Sequence, residues 1–201
     1  MMDSVFAYDG DRFDADTLLS QLGSEYNAYY TPADIENGVY PVVIDPSYLF
    51  GTVLQHFTAE MYVSGASLLS GKLGQKIFAE NLSLSNDMNP ATNPGACFFD
   101  GEGCIAPDFR PTIIDKGTLT ALLTTKKSAK QYGLPNLGTA ANIYDGVPNL
   151  GFNRFYVNAT APSLSSLVPG KSIYVVMASG GDTTPEGHFA TPVQLAYLMD
   201  D

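Results

Sequence analysis

Residues 46–64, PSYLFGTVLQHFTAEMYVS, constrain the fold more than any other stretch. They read as one long helix. Asp45 stands at the cap position, and Pro46 sits where a missing N–H costs nothing. Phe50, Val53, Leu54, Phe57 and Met61 recur at helical spacing and define one buried stripe. Gln55, His56 and Glu60 fall off that stripe, and Gly65 supplies an end signal. Glu60 follows His56 by four positions, so a continuous helix puts both on one face.

The rest of the chain is mostly strand-like. Val39–Asp45 is a short β-branched run that feeds the helix. A further strand is expected at Asn81–Ser85. Ala96–Phe99 and Gly103–Ala106 are expected as strands around the acidic turn Asp100-Gly-Glu102. Arg110–Asp115 and Thr118–Thr125 flank Lys116-Gly117, a hairpin signal. Lys126–Tyr132 reads as a short helix ended by Gly133. Phe152–Ala159, Ser172–Ala178 and His188–Met199 complete the strands, with a helical turn at Ser163–Val168. These alternations predict an α+β fold with a mostly antiparallel sheet. Asp14 to Gly23 has a cap, apolar spacing and a terminal glycine, hence a short helix. Residues 1–38 are read as an acidic appendage and 39–201 as the main domain.

Charge narrows the function. The chain of 201 residues has a formal net charge of −11. Its first 36 residues carry eight acids against Arg12 alone. Phosphate binding needs clustered Lys and Arg, so nucleic acid is excluded as a direct ligand. The Lys126, Lys127 and Lys130 group is a solvated helix face. Apolar runs are too short to span a bilayer, and no signal pattern opens the chain. A cytoplasmic protein without membrane contact is expected, with Cys97 and Cys104 as reduced thiols.

The chemistry-bearing residues are few. His56 and Glu60 are candidate metal ligands, and His188 on the last strand is a candidate third. A triad lacks the G-x-S-x-G elbow, and Cys104 with His188 lacks any signature. Asp100 and Glu102 are read as carboxylates bound to backbone N–H groups or water.

Several pieces then resemble one family. Pro41-Val-Val-Ile-Asp-Pro46 leads into the helix. Leu73-Gly-Gln-Lys-Ile-Phe78 is followed by Leu82-Ser-Leu84. Phe99-Asp-Gly-Glu-Gly103, Ile113-Ile-Asp-Lys-Gly-Thr-Leu119, Gly187-His-Phe-Ala190 and Ala196-Tyr-Leu-Met199 follow in order. From Tyr40 to Asp201 the chain resembles the carboxy-terminal half of the TldD/PmbA family, also called modulators of DNA gyrase. The resemblance implies intracellular peptide processing. TldD-type members are zinc metallopeptidases with HExxxH on the equivalent helix: two His ligands, a Glu general base, and a further ligand from near the end. PmbA/TldE-type members lack the motif and pair with TldD-type subunits. The matching residues here are Gln55-His-Phe-Thr-Ala-Glu60. Gln55 and Glu60 take the ligand positions, and His56 takes the general-base position. A neutral amide is a poor zinc ligand. Most of the family's amino-terminal domain and the segment expected to give the third ligand have no counterpart in these residues.

The resemblance therefore implies a PmbA-type partner in a peptide-processing assembly, a homo-oligomer or a hetero-oligomer with a TldD-type homologue. It carries no metal or cofactor of its own. Two alternatives stay open: an active metallopeptidase using His56, Glu60 and His188, and a stand-alone binding or self-association module.

Overall fold

The computed structural model describes residues 14–44, 48, 51, 53–93, 96–141, 146–150, 155–158, 161, 166–168 and 170–199. Contacts divide the chain into two units: Met1–Ile44 with Leu164–Ala178 and Val193–Asp201, and Asp45–Ser163 with Ser179–Pro192.

The first unit holds helix α1, Ala15–Tyr29, and a three-stranded sheet. Asp14 caps α1, its carboxylate accepting from Asp16 and Thr17 N–H at 3.1 Å. The cap agrees with the sequence, but the helix does not stop at Gly23. It runs on because Tyr26 and Tyr29 renew its apolar stripe and nothing after Gly23 breaks it before Pro32. Strand β1, Val42–Ile44, runs parallel to β8, Ser172–Ala178, and β8 runs antiparallel to β11, Val193–Met199. Tyr197 Oη donates to Glu25 O at 3.4 Å and ties β11 to α1.

The second unit is built on a four-stranded antiparallel sheet. In chain order its strands are β2 (Leu84–Asn86), β3 (Thr112–Asp115), β4 (Thr118–Leu119) and β7 (Phe155–Val157), and their spatial order is β4-β3-β2-β7. Leu84, Ile113, Ile114, Leu119 and Leu123 are fully buried on it, with Phe57 and Leu69 in the same cluster. Phe57 stacks on Phe78 at 6.2 Å between ring centroids. The β3–β4 turn has Lys116 at φ 45° and Gly117 at φ 81°, the paired left-handed residues a tight hairpin needs. A side chain at 117 is also blocked: a Cβ there would lie 2.5 Å from Phe78 O. A second helix, α2 (Ala59–Ser64), and a third, α3 (Lys126–Tyr132), follow the chain. Gly133 ends α3 in the left-handed region, as its place in the sequence predicts. Two small hairpins, β5–β6 (Ala140–Ala141 with Asn149–Leu150) and β9–β10 (Asp182–Thr183 with Phe189–Ala190), complete this unit.

The fold is α+β, and every described strand pair except β1–β8 is antiparallel. Further local expectations change, among them the strand expected over Thr118–Thr125, which ends at Leu119. The strand expected at Asn81–Ser85 lies at Leu84–Asn86. No strands flank the acidic turn, because Asp100 holds it directly: Oδ1 accepts from Glu102 and Cys104 N–H at 2.9 and 2.8 Å, and Oδ2 from Ala140 N–H at 3.1 Å. Thr191-Pro192 divides the last strand into β10 and β11, since proline cannot continue a ladder. The helix expected through residue 64 is broken at Thr58. Residues 163–165 of the expected helical turn lie outside the described residues. Among the described residues no helix is long and apolar enough to cross a membrane.

Candidate functional site

The segment aligned with the family's metal-binding helix is Gln55–Glu60. It is not one helix. Leu54–Phe57 forms a 3-10 turn, Thr58 is extended at φ −75° and ψ 141°, and α2 begins at Ala59. The break comes from a distant strand-like segment. Thr58 pairs with Leu123 in a parallel bridge. Leu123 N–H donates to Phe57 O at 2.9 Å, and Ala59 N–H donates to Leu123 O at 3.0 Å. Thr58 then caps α2, its hydroxyl accepting from Met61 N–H at 3.3 Å and donating to Gln55 O at 2.8 Å. Apolar periodicity takes Phe57 and Met61 as successive members of one stripe and reads straight through this break, whereas past it Ala59 and Tyr62 meet the core.

The break separates the candidate ligands. His56 is buried, whereas Gln55 and Glu60 are exposed. Glu60 lines a cavity of about 620 Å³ with Thr58, Lys127 and Asn149. His56 lines another, of about 810 Å³, with Met61, Lys72 and the turn Thr183–Gly187. Gln55 borders both. His188 is exposed at the start of β10, its N–H donating to Thr184 Oγ1 at 3.3 Å. Among the described residues, His56, Glu60 and His188 do not form a group of three donors within ligand reach.

His56 is fixed by residues the sequence did not single out. Its Nδ1 accepts from Leu68 N–H at 3.3 Å. Its carbonyl accepts from Ser67 Oγ at 2.6 Å, and Ser67 Oγ accepts from Leu69 N–H at 2.9 Å. An acceptor Nδ1 places the proton on Nε2, which is buried without a hydrogen-bond partner. Burial holds the imidazole pKa below its ordinary value. The ring is thus a neutral Nε2–H tautomer. It can neither offer Nε2 as a lone-pair ligand nor take a proton easily. The side chains at this segment do not fit the zinc ion that the family implies: one amide, one exposed carboxylate and one imidazole whose Nδ1 accepts from Leu68 N–H while Nε2 carries the proton.

One other group brings donors together. Asp100, Glu102 and Cys104 have ligand atoms within 4.8 Å of one another. All are already engaged. Asp100 binds three backbone N–H groups, Glu102 Oε2 accepts from Lys126 N–H at 2.6 Å, and Cys104 Sγ accepts from Asn136 Nδ2 at 3.1 Å. Burial, then the Asp100 charge, raises the Cys104 thiol pKa, so the thiolate a metal needs is disfavoured. Cys97 and Cys104 are free thiols.

The sequence profile of the PmbA/TldA metallopeptidase C-terminal domain matches residues 37–201. An uncharacterized protein of Methanocaldococcus jannaschii is 28% identical over 162 residues, 78% of this chain and 38% of its own length. A protein named zinc metalloprotease TldD homolog from Saccharolobus solfataricus is 25% identical, spanning 100% of this chain and 46% of its own. The crystal structure of TldE from Thermococcus kodakarensis superposes with a TM-score of 0.76 at 24% identity, over 92% of this chain and 44% of that one. The chain thus spans less than half the length of these relatives. With a profile that takes in both the broken helix and the Asp100 turn, the chain belongs to the PmbA/TldA metallopeptidase C-terminal domain family.

Proposed function

We propose that this chain is a non-catalytic domain of PmbA/TldE type in a cytoplasmic peptide-processing assembly. It pairs with a zinc-bearing TldD-type homologue and helps hold the peptide that the homologue cuts. The observation that carries this reading is the state of Gln55–Glu60: a helix break at Thr58, a carboxylate and an imidazole on separate cavities, and an imidazole held as the Nε2–H tautomer. The TldD name of a relative and the likeness in fold to a solved TldE support this choice of partner.

No step is assigned to a metal here. What these residues can do is bind. Gln55 presents its side-chain amide beside Lys127 and Glu60 in one open cavity, which suits a peptide main chain with mixed charge.

The test is metal analysis and peptide cleavage on the purified chain, alone and with a TldD-type homologue. The expected result is no stoichiometric zinc and no cleavage alone, with co-purification of the homologue. Stoichiometric zinc and cleavage, both lost in His56→Ala, would overturn the reading and favour an active peptidase.

A further inference from the structure

The first unit carries a groove of about 750 Å³ between the end of α1 and β11. Tyr29, Pro32 and Ile35 form one wall, and Ile173, Val193 and Leu195 form the other. The groove is open: Tyr29, Ile35 and Val193 are 43%, 49% and 48% exposed. Helix α1 buries none of its residues, although Leu18, Leu22, Tyr26 and Tyr29 recur at helical spacing. A contiguous apolar surface of this kind marks an interaction site.

Charge selects the occupant. The described residues of this unit carry Asp14, Asp16, Glu25, Asp34 and Glu36, against Lys171 alone. Asp34 and Glu36 flank Ile35 directly in the chain. A second copy is disfavoured, because it would set one strongly acidic unit against another in a chain of net charge −11. We propose that this groove docks a linear peptide segment that is both cationic and apolar. A Leu or Phe side chain enters between Ile35 and Val193. Neighbouring Lys or Arg side chains lay their methylene stems along the apolar wall and bring their charges to Asp34 and Glu36. The proposal goes beyond the partner-domain reading and does not rest on it. Docking is measured with neither homologue nor metal present.

The experiment is fluorescence anisotropy on the whole chain with three labelled peptides of equal length: alternating Lys with Leu and Phe, the same with Glu for Lys, and Lys alternating with Ser. The first should bind saturably and weaken with added salt. The Glu peptide should not bind, and the Lys–Ser peptide should bind at least about tenfold more weakly. Ile35→Ser and Val193→Ser should each weaken the first peptide about tenfold. Both positions are half exposed, so these variants should keep the wild-type circular dichroism spectrum. Asp34→Asn with Glu36→Gln should flatten the salt dependence. Equal binding of the Lys–Ser peptide, no effect of the serine variants, or no saturable binding overturns the proposal. So does self-association of the chain that Ile35→Ser abolishes, which would make a second copy the occupant.

Discussion

Replacing His56 by asparagine should change how stability depends on pH. In the native protein Nδ1 accepts from Leu68 N–H at 3.3 Å, and Nε2 is buried without a partner. Protonation would turn Nδ1 into a donor facing another donor. The bond would be lost and a buried N–H left unpaired, a penalty of about 1–3 kcal/mol. The folded pKa is accordingly depressed by burial. The sign follows from linkage: the unfolded chain takes up the proton first, near the ordinary pKa of about 6.5. Stability from a neutral His56 is therefore complete above that pH and is lost as pH falls through it towards the folded value. Asparagine puts an amide oxygen near the place of Nδ1, keeps the Leu68 bond and does not titrate. Urea unfolding of both proteins at pH 7.5 and pH 5.0 supplies the test. The wild-type advantage should shrink, or the Asn variant's should grow, by at most about 2 kcal/mol at the lower pH, the ceiling set by lying about 1.5 pH units below the unfolded pKa. Every other ionisable group is common to the two proteins and cancels in the difference. Parallel pH profiles would refute the tautomer assignment and the argument against a metal ligand at His56.

Three further outcomes are expected. Gly117→Ala should lower Tm by roughly 4–8 °C, since a left-handed alanine costs about 1–2 kcal/mol and its Cβ also meets Phe78 O. Gly133→Ala, with open space around it, should cost only the first of these in the same thermal scan. Arg110→Ala should destabilise by about 2–4 kcal/mol in denaturant, because it strands the buried Asp87 carboxylate now bound at 2.6 Å. That carboxyl is pushed up by burial but held below its usual range mainly by Arg110. Iodoacetamide at neutral pH should label exposed Cys97 well before Cys104, whose thiol pKa is raised, and peptide mass spectrometry reads the order.

What the sequence disclosed was local. Asp14 and Gly133 act through neighbours in the chain, and both bound helices as read. Lys116-Gly117 makes its turn from its own two backbone conformations, so the hairpin was legible too. Long-range pairing was not. Val42–Ile44 reads as a strand, but its parallel partner lies at Ile173–Val175, and nothing in either segment names the other. The tie between Thr58 and Leu123 is of the same kind.

That tie also decides the site. Placing His56 and Glu60 on one face assumed 3.6 residues per turn without interruption, and the apolar positions gave no sign otherwise. Past the break the core is met by Ala59 and Tyr62 rather than by Met61, so the expected stripe and the polar face are both interrupted at Thr58. An extended residue at Thr58 turns the backbone between Gln55 and Glu60, and the two positions that would share an ion in a continuous helix no longer face each other across one turn. Hydrophobic spacing reports what the core needs. It is silent on long-range backbone pairing, and here the two hydrogen bonds that Leu123 makes with Phe57 and Ala59 dismantle a ligand set that helical spacing would assemble.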